Sequence, residues 1–70
     1  MAIKGSEPAA VFGYVVRFGS GPADYAERRI SGPDAAVQFF GHAVEAWPWA
    51  VLYENTRAGL VVAISWRCVA

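Results

Sequence analysis

Residues 31–48 read SGPDAAVQFFGHAVEAWP, and this stretch decides the fold because it alone carries long helical spacing. Ser31 can cap the free N–H groups of a helix, Pro33 suits the first turn, and Asp34 suits the positive end of the dipole. Pro48 then ends the helix. The apolar residues recur every three or four positions and predict a buried stripe of Ala36, Phe40, Val44 and Trp47, widened by Val37, Phe39 and Ala43.

Segments with strand character lie on both sides of this helix. Before it, residues 11–18 read as a strand with Phe12, Tyr14, Val16 and Phe18 on one face, a turn cluster Gly-Ser-Gly-Pro follows, and residues 23–30 form a more polar returning strand. After it come an apolar strand at residues 49–54, a hairpin connection at residues 55–59 and a last strand at residues 60–67.

The resulting fold class is α+β, with a four-stranded antiparallel sheet and one helix packed on one face in the order β-β-α-β-β. We predict a single small domain over residues 1–70, in which residues 1–8 are a flexible lead-in. The bulkier alternating residues should lie under the helix: Phe12, Tyr14, Val16, Phe18, Leu60, Val62, Ile64 and Trp66. The opposite face then presents Val11, Val15, Arg17, Val61, Ala63, Ser65 and Arg67.

That opposite face is unusual for a sheet with one solvated side, which normally presents polar residues outward. Here small apolar residues alternate with arginines, as in a buried patch with a charged rim. The pattern therefore favours an interface with another molecule.

Composition narrows the function classes. Apolar residues make up 56% of the chain and charged residues 17%, which excludes intrinsic disorder. Six basic residues balance six acidic ones, so direct nucleic-acid binding is not favoured. No apolar run approaches the roughly 18 residues of a membrane span, and the single Cys68 cannot form an intramolecular disulfide. We predict a soluble cytoplasmic protein that does not bind membranes.

Catalytic and ligand motifs are weak. The Gly19-Ser20-Gly21 turn lacks the spacing of a dinucleotide site and favours a plain hairpin turn. His42 shares the polar helix face with Gln38 and Glu45, without the partners that a general base or metal ligand needs. The prediction is a protein without enzymatic activity, cofactor or metal.

Partner-binding candidates are arginines and one tryptophan. Arg17 and Arg67 project from the first and last strands on the predicted open face, where guanidinium groups pair well with carboxylates, phosphates or rings. Arg28 and Arg29 form the only basic pair, either as a solvated edge or as an anion contact. In Trp47-Pro48-Trp49 both rings can close the core, or one, such as Trp49, can anchor an interface.

Three stretches, FGYVVRF at residues 12–18, SGPDAAVQFF at residues 31–40 and AVLYENTRAGLVVAISW at residues 50–66, cover about two-thirds of the chain. In order and spacing the chain resembles small phage-encoded anti-CRISPR proteins of the type I-F kind. That resemblance implies a stoichiometric inhibitor that binds a subunit of the CRISPR surveillance complex and blocks target DNA hybridisation, in the cytoplasm of the host. It assigns no particular residue, and the balanced charge departs from what a protein along a nucleic-acid groove often shows.

The sequence thus predicts a small protein-binding module, an anti-CRISPR inhibitor if the resemblance holds, that occludes a surface of its partner. The alternative is a homodimeric accessory or structural protein whose open sheet face is buried against its twin. The oligomeric state in solution separates these two hypotheses.

Overall fold

The computed structural model describes residues 11–67, which form four strands and one helix in the predicted order and fold class. The elements are β1 (Val11–Gly21), β2 (Asp24–Ile30), α1 (Pro33–Ala46), β3 (Trp49–Thr56) and β4 (Gly59–Arg67). All strand pairings are antiparallel, and the order across the sheet is β2-β1-β3-β4. The lead-in predicted at residues 1–8 lies outside the described residues.

α1 begins without the side-chain cap that the sequence suggested. The N-cap residue is Gly32 and not Ser31, and its carbonyl accepts the first helical hydrogen bond from the Ala36 N–H at 3.0 Å. Pro33 occupies the first turn and Asp34 supplies a negative charge there, which suits the helix dipole. The helix ends at Ala46, and the N–H of the C-cap residue Trp47 donates to the Ala43 carbonyl.

The core lies between α1 and the middle of the sheet. α1 packs on β1 and β3 and to a smaller extent on β2. This coverage is what one helix allows, since its diameter of about 10 Å spans roughly two strands spaced about 4.8 Å apart. The buried cluster comprises Val16, Ala36, Phe40, Ala43, Ala50 and Leu52, with Tyr14, Phe18, Ile30, Phe39 and Val44 packed at its margin.

Two irregularities of the sheet correct the predicted faces. The β1–β3 register shifts at Phe12, and this ring is 61% exposed and outside the core. The β3–β4 register shifts between Leu52 and Tyr53: Leu52 pairs with Ile64, but Tyr53 pairs with Val62, which leaves Ala63 as the extra residue of a β-bulge. Residues that oppose each other on neighbouring strands point to the same face of the sheet, so these register shifts change which side chains face α1.

As a result, the β4 residues do not all lie where simple alternation puts them. Ile64 and Trp66 face the helix side as predicted, but Leu60 and Val62 lie on the opposite face and Val61 on the helix side. All nine residues of β4 are exposed, so none of them is covered by α1. Val37 of the predicted helix stripe is also exposed.

The β3–β4 hairpin is tighter than the five-residue connection predicted. Its loop is Arg57-Ala58, and Gly59 follows it with a positive φ of 112°. The buried Thr56 side chain organises this turn, because its Oγ1 accepts from the Ala58 N–H at 3.2 Å and donates to the Gly59 carbonyl at 2.9 Å.

Candidate functional site

Arg17 lies on the face of the sheet opposite α1, called here the open face. Its Nε donates to Glu27 Oε1 at 2.8 Å, and its guanidinium lies 5.2 Å from the Tyr25 ring centre and 5.0 Å from the Tyr53 ring centre. The hydrogen bond to Glu27 raises the pKa of Arg17 above its usual value. Because β1 lies between β2 and β3, the strand order brings both rings to this side chain.

These internal partners change what Arg17 contributes. Its side chain is 27% exposed, its Nε donates to Glu27, and its guanidinium lies near two rings of the same chain. Val15 and Val51, on the same face, are buried without any helix above them. The side chains of Arg17, Tyr25 and Tyr53 therefore pack together on the open face.

We expect the charge reversal Arg17→Glu to destabilise the fold by on the order of 1–2 kcal/mol, from one lost ion pair and two lost cation–π contacts. Urea unfolding measures the change, and the exposed turn variant Arg57→Glu is the matched control, expected within about 0.5 kcal/mol of wild type. Equal midpoints for the two variants would contradict this role.

The two tryptophans of the 47–49 corner have different environments. Trp49 is 8% exposed and packs against Tyr25 on the open face, with ring centres 5.6 Å apart. Trp47 is 44% exposed and lies 6.0 Å from Phe18 on the helix side. In this chain Trp47, rather than the predicted Trp49, therefore offers ring surface to a partner.

Arg28 and Arg29 point to opposite faces of β2 and do not act as a pair. Arg29 opposes Val15 on the open face, where its Nη2 lies 3.8 Å from Glu27 Oε2. Arg28 opposes Val16 on the helix side and stacks on Phe39 at 5.3 Å. The two guanidinium groups therefore have different neighbours on the two faces of this strand.

Arg28 and Trp47 meet instead along the groove between α1 and β2, which we call the α1–β2 groove. One shallow depression there, of about 320 Å³, is lined by Arg28 and Trp47 together with Phe18, Phe39, His42, Ala43 and Ala46. An adjoining depression of about 270 Å³ shares Arg28, Phe39 and His42. The groove thus combines apolar rings with a cation and an exposed imidazole. Sequence reasoning named Arg28 and Trp47 separately but gave no signal that they lie together.

Arg67 ends β4 on the open face, where it opposes Trp49. It is exposed and lies on the same face as Arg17, as predicted. Arg17, held by its own neighbours, and Arg67, at the sheet edge, do not form one cluster.

The described part of the chain contains neither a metal-ligating cluster nor a membrane-spanning helix. Within residues 11–67 no group of three or more His, Cys, Asp or Glu side chains is placed to hold a metal ion. The single helix of this region is too short to span a bilayer. No protein family, curated protein or solved structure matches this chain.

Proposed function

We propose that this chain is a small protein-binding module without catalytic turnover, and that the α1–β2 groove is its partner-binding surface. The observation that carries the proposal is that two exposed side chains, Trp47 and Arg28, line the same largely apolar depression. Tryptophan and arginine are enriched among the residues that dominate binding energy at protein interfaces.

The groove indicates the chemistry of the partner. Phe18, Phe39 and Ala43 offer an apolar surface for a side chain of the partner. Arg28 stacks on Phe39 and remains exposed, so its outward N–H groups can donate to a carboxylate. The partner is therefore a protein segment that carries an apolar anchor next to an acidic residue.

The biological role that we propose follows the resemblance to small anti-CRISPR proteins. Such a protein acts in the host cytoplasm by occupying a surface of the CRISPR surveillance complex and blocking target DNA. A domain of 70 residues suits this role, because occlusion of a partner requires a surface and not an active site.

The test has a biological and a biochemical arm. The chain is expressed in bacteria that carry an active type I-F system, and plaque formation by a targeted phage is counted. The purified surveillance complex is then titrated with the chain. We expect restored plaques and saturable binding. Normal immunity together with no binding would overturn the inhibitor role.

Two groove variants test the surface itself. We expect Trp47→Ala and Arg28→Glu each to weaken partner binding at least about tenfold, the range of residues that dominate an interface. Arg57→Glu, on the β3–β4 turn, is the matched control and should bind as wild type. Circular dichroism verifies the fold of each variant, and unchanged affinity in both folded groove variants would exclude this groove as the interface.

A further inference from the structure

A further depression lies next to the α1–β2 groove at the tip of the β1–β2 hairpin, and we call it the hairpin-tip depression. It has a volume of about 240 Å³ and shares Phe18 and Trp47 with the groove. Its other lining residues include Asp24, Ser20 and Ala26. The two depressions therefore adjoin at two aromatic side chains, but one is lined by an acidic residue and the other by a basic residue.

Asp24 brings a carboxylate to the hairpin-tip depression. It is two residues from Ala26, which opposes Phe18 of β1, and residues two apart on a strand point to the same face. The Asp24 side chain is therefore on the helix side of the sheet, where Phe18 packs against Trp47. Asp24 is exposed, and within residues 11–67 it forms no ion pair.

A carboxylate beside aromatic rings favours a cation as ligand. The carboxylate supplies the opposite charge, and the face of a ring, best of all tryptophan, attracts a cation. Arginine suits such a site better than lysine, because its planar guanidinium can pair with a carboxylate and stack on a ring. The chain already uses its own arginines in this way, since Arg28 lies 5.3 Å from the Phe39 ring centre and Arg17 lies 5.0 Å from that of Tyr53.

We propose that the hairpin-tip depression binds an arginine side chain of the partner protein. This inference rests on the function proposed for the α1–β2 groove, because the two depressions share Phe18 and Trp47 and one partner segment can cover both. The guanidinium of the partner pairs with the Asp24 carboxylate and packs against the Trp47 ring. Charge complementarity thus identifies the group that enters this depression.

Strand geometry sets the spacing of the charges that the partner carries. Asp24 and Arg28 are four residues apart on β2 and on the same face, which places them about 13 Å apart at roughly 3.3 Å per residue. That separation exceeds the screening length of about 8 Å at physiological ionic strength, so each charge attracts its own counterpart. The partner segment therefore carries an arginine and an acidic residue about 13 Å apart.

Nuclear magnetic resonance of the isotope-labelled chain, titrated with N-acetyl-argininamide, tests the site without the partner. N-acetyl-citrullinamide is the matched probe, because it has nearly the same shape but no charge. We expect saturable shifts of the Trp47 indole N–H and of the Asp24 and Ala26 amides, with the citrulline probe binding at least about threefold more weakly. Absence of shifts at these groups, or equal affinity for the two probes, would overturn the proposal.

Two aspartate variants locate the charge that the probe recognises. Asp24→Asn preserves the size of an exposed side chain, so it should fold normally and bind the two probes equally. Asp34→Asn is the matched control, because Asp34 is exposed in the first turn of α1 and does not line the depression. It should keep the preference for the arginine probe. The same preference in folded Asp24→Asn would overturn the role of this carboxylate, and the two-probe comparison on the wild type is decisive by itself if that variant does not fold.

Titration of the purified surveillance complex with the same variants tests whether the partner supplies the arginine. Asp24→Asn should weaken binding at least about threefold, whereas Asp34→Asn should bind as wild type does. Wild-type affinity of Asp24→Asn for a complex that binds the wild-type chain would overturn this assignment. If the complex does not bind the wild-type chain, the inhibitor role fails, and the probe titration still decides whether the depression binds arginine. The two failures are therefore distinguishable.

Discussion

Phe40→Ala should leave most of the protein unfolded at 25 °C. Phe40 is 8% exposed and belongs to the cluster that joins α1 to β1 and β3. Emptying an aromatic core site costs about 3–5 kcal/mol. A 70-residue domain has a net stability of only a few kcal/mol, so the substitution removes most or all of it. Far-ultraviolet circular dichroism and urea unfolding measure the loss.

The control is on the same helix, two residues later. His42 is exposed, and His42→Ala should change the free energy of unfolding by under about 0.5 kcal/mol. It removes a side chain of comparable size without opening a core cavity. A cooperative unfolding transition in Phe40→Ala close to that of His42→Ala would show that this helix face does not carry the core.

Gly19→Ala should also lower the stability of the fold strongly, but by a different mechanism. A Cβ atom at Gly19 would lie 2.5 Å from the Asp24 carbonyl oxygen and 2.8 Å from the Tyr25 Cα, both backbone atoms of β2. Because backbone cannot move aside cheaply, the β1–β2 hairpin must shift, at about 1–3 kcal/mol. The φ of 159° at this residue adds strain for any side chain.

Gly19→Ala should also disturb the packing of side chains on the open face. Gly19 pairs with Tyr25 on one side and Trp49 on the other, and the missing side chain leaves room for these two rings to pack 5.6 Å apart across β1. Tryptophan fluorescence should therefore change together with the unfolding midpoint. Gly21→Ala is the control, since a Cβ there meets no atom within 4 Å. Equal stability of the two variants would contradict the close approach at Gly19.

Sequence periodicity was sufficient to predict the elements because each has a clear repeat or breaker. Pro33 and Pro48 bound the helix, Gly59 marks the last turn, and alternation identifies the first strand. The edge position of β2 followed from its polarity. These are local signals, and local signals specify where an element begins, ends and turns.

The faces of β4 and the partners of Arg17 could not be predicted in this way. A single extra residue, Ala63, reverses the face of every residue on one side of it, and no composition marks the bulge. Arg17 is held by residues of two other strands, Glu27 and Tyr53, and that arrangement depends on the order β2-β1-β3-β4. The α1–β2 groove likewise requires knowing which strand lies beside the helix.

The strand order also has a consequence for the folding reaction. β1 with β2 and β3 with β4 are hairpins joined by short turns, and such units close within microseconds. The β1–β3 pairing, with Val16 opposite Leu52, joins segments separated by β2 and the whole helix. Contacts between such distant segments require the largest loss of chain entropy before the favourable interactions of the pairing form. We therefore expect formation of this central seam, where the core cluster also lies, to be the slow step of folding.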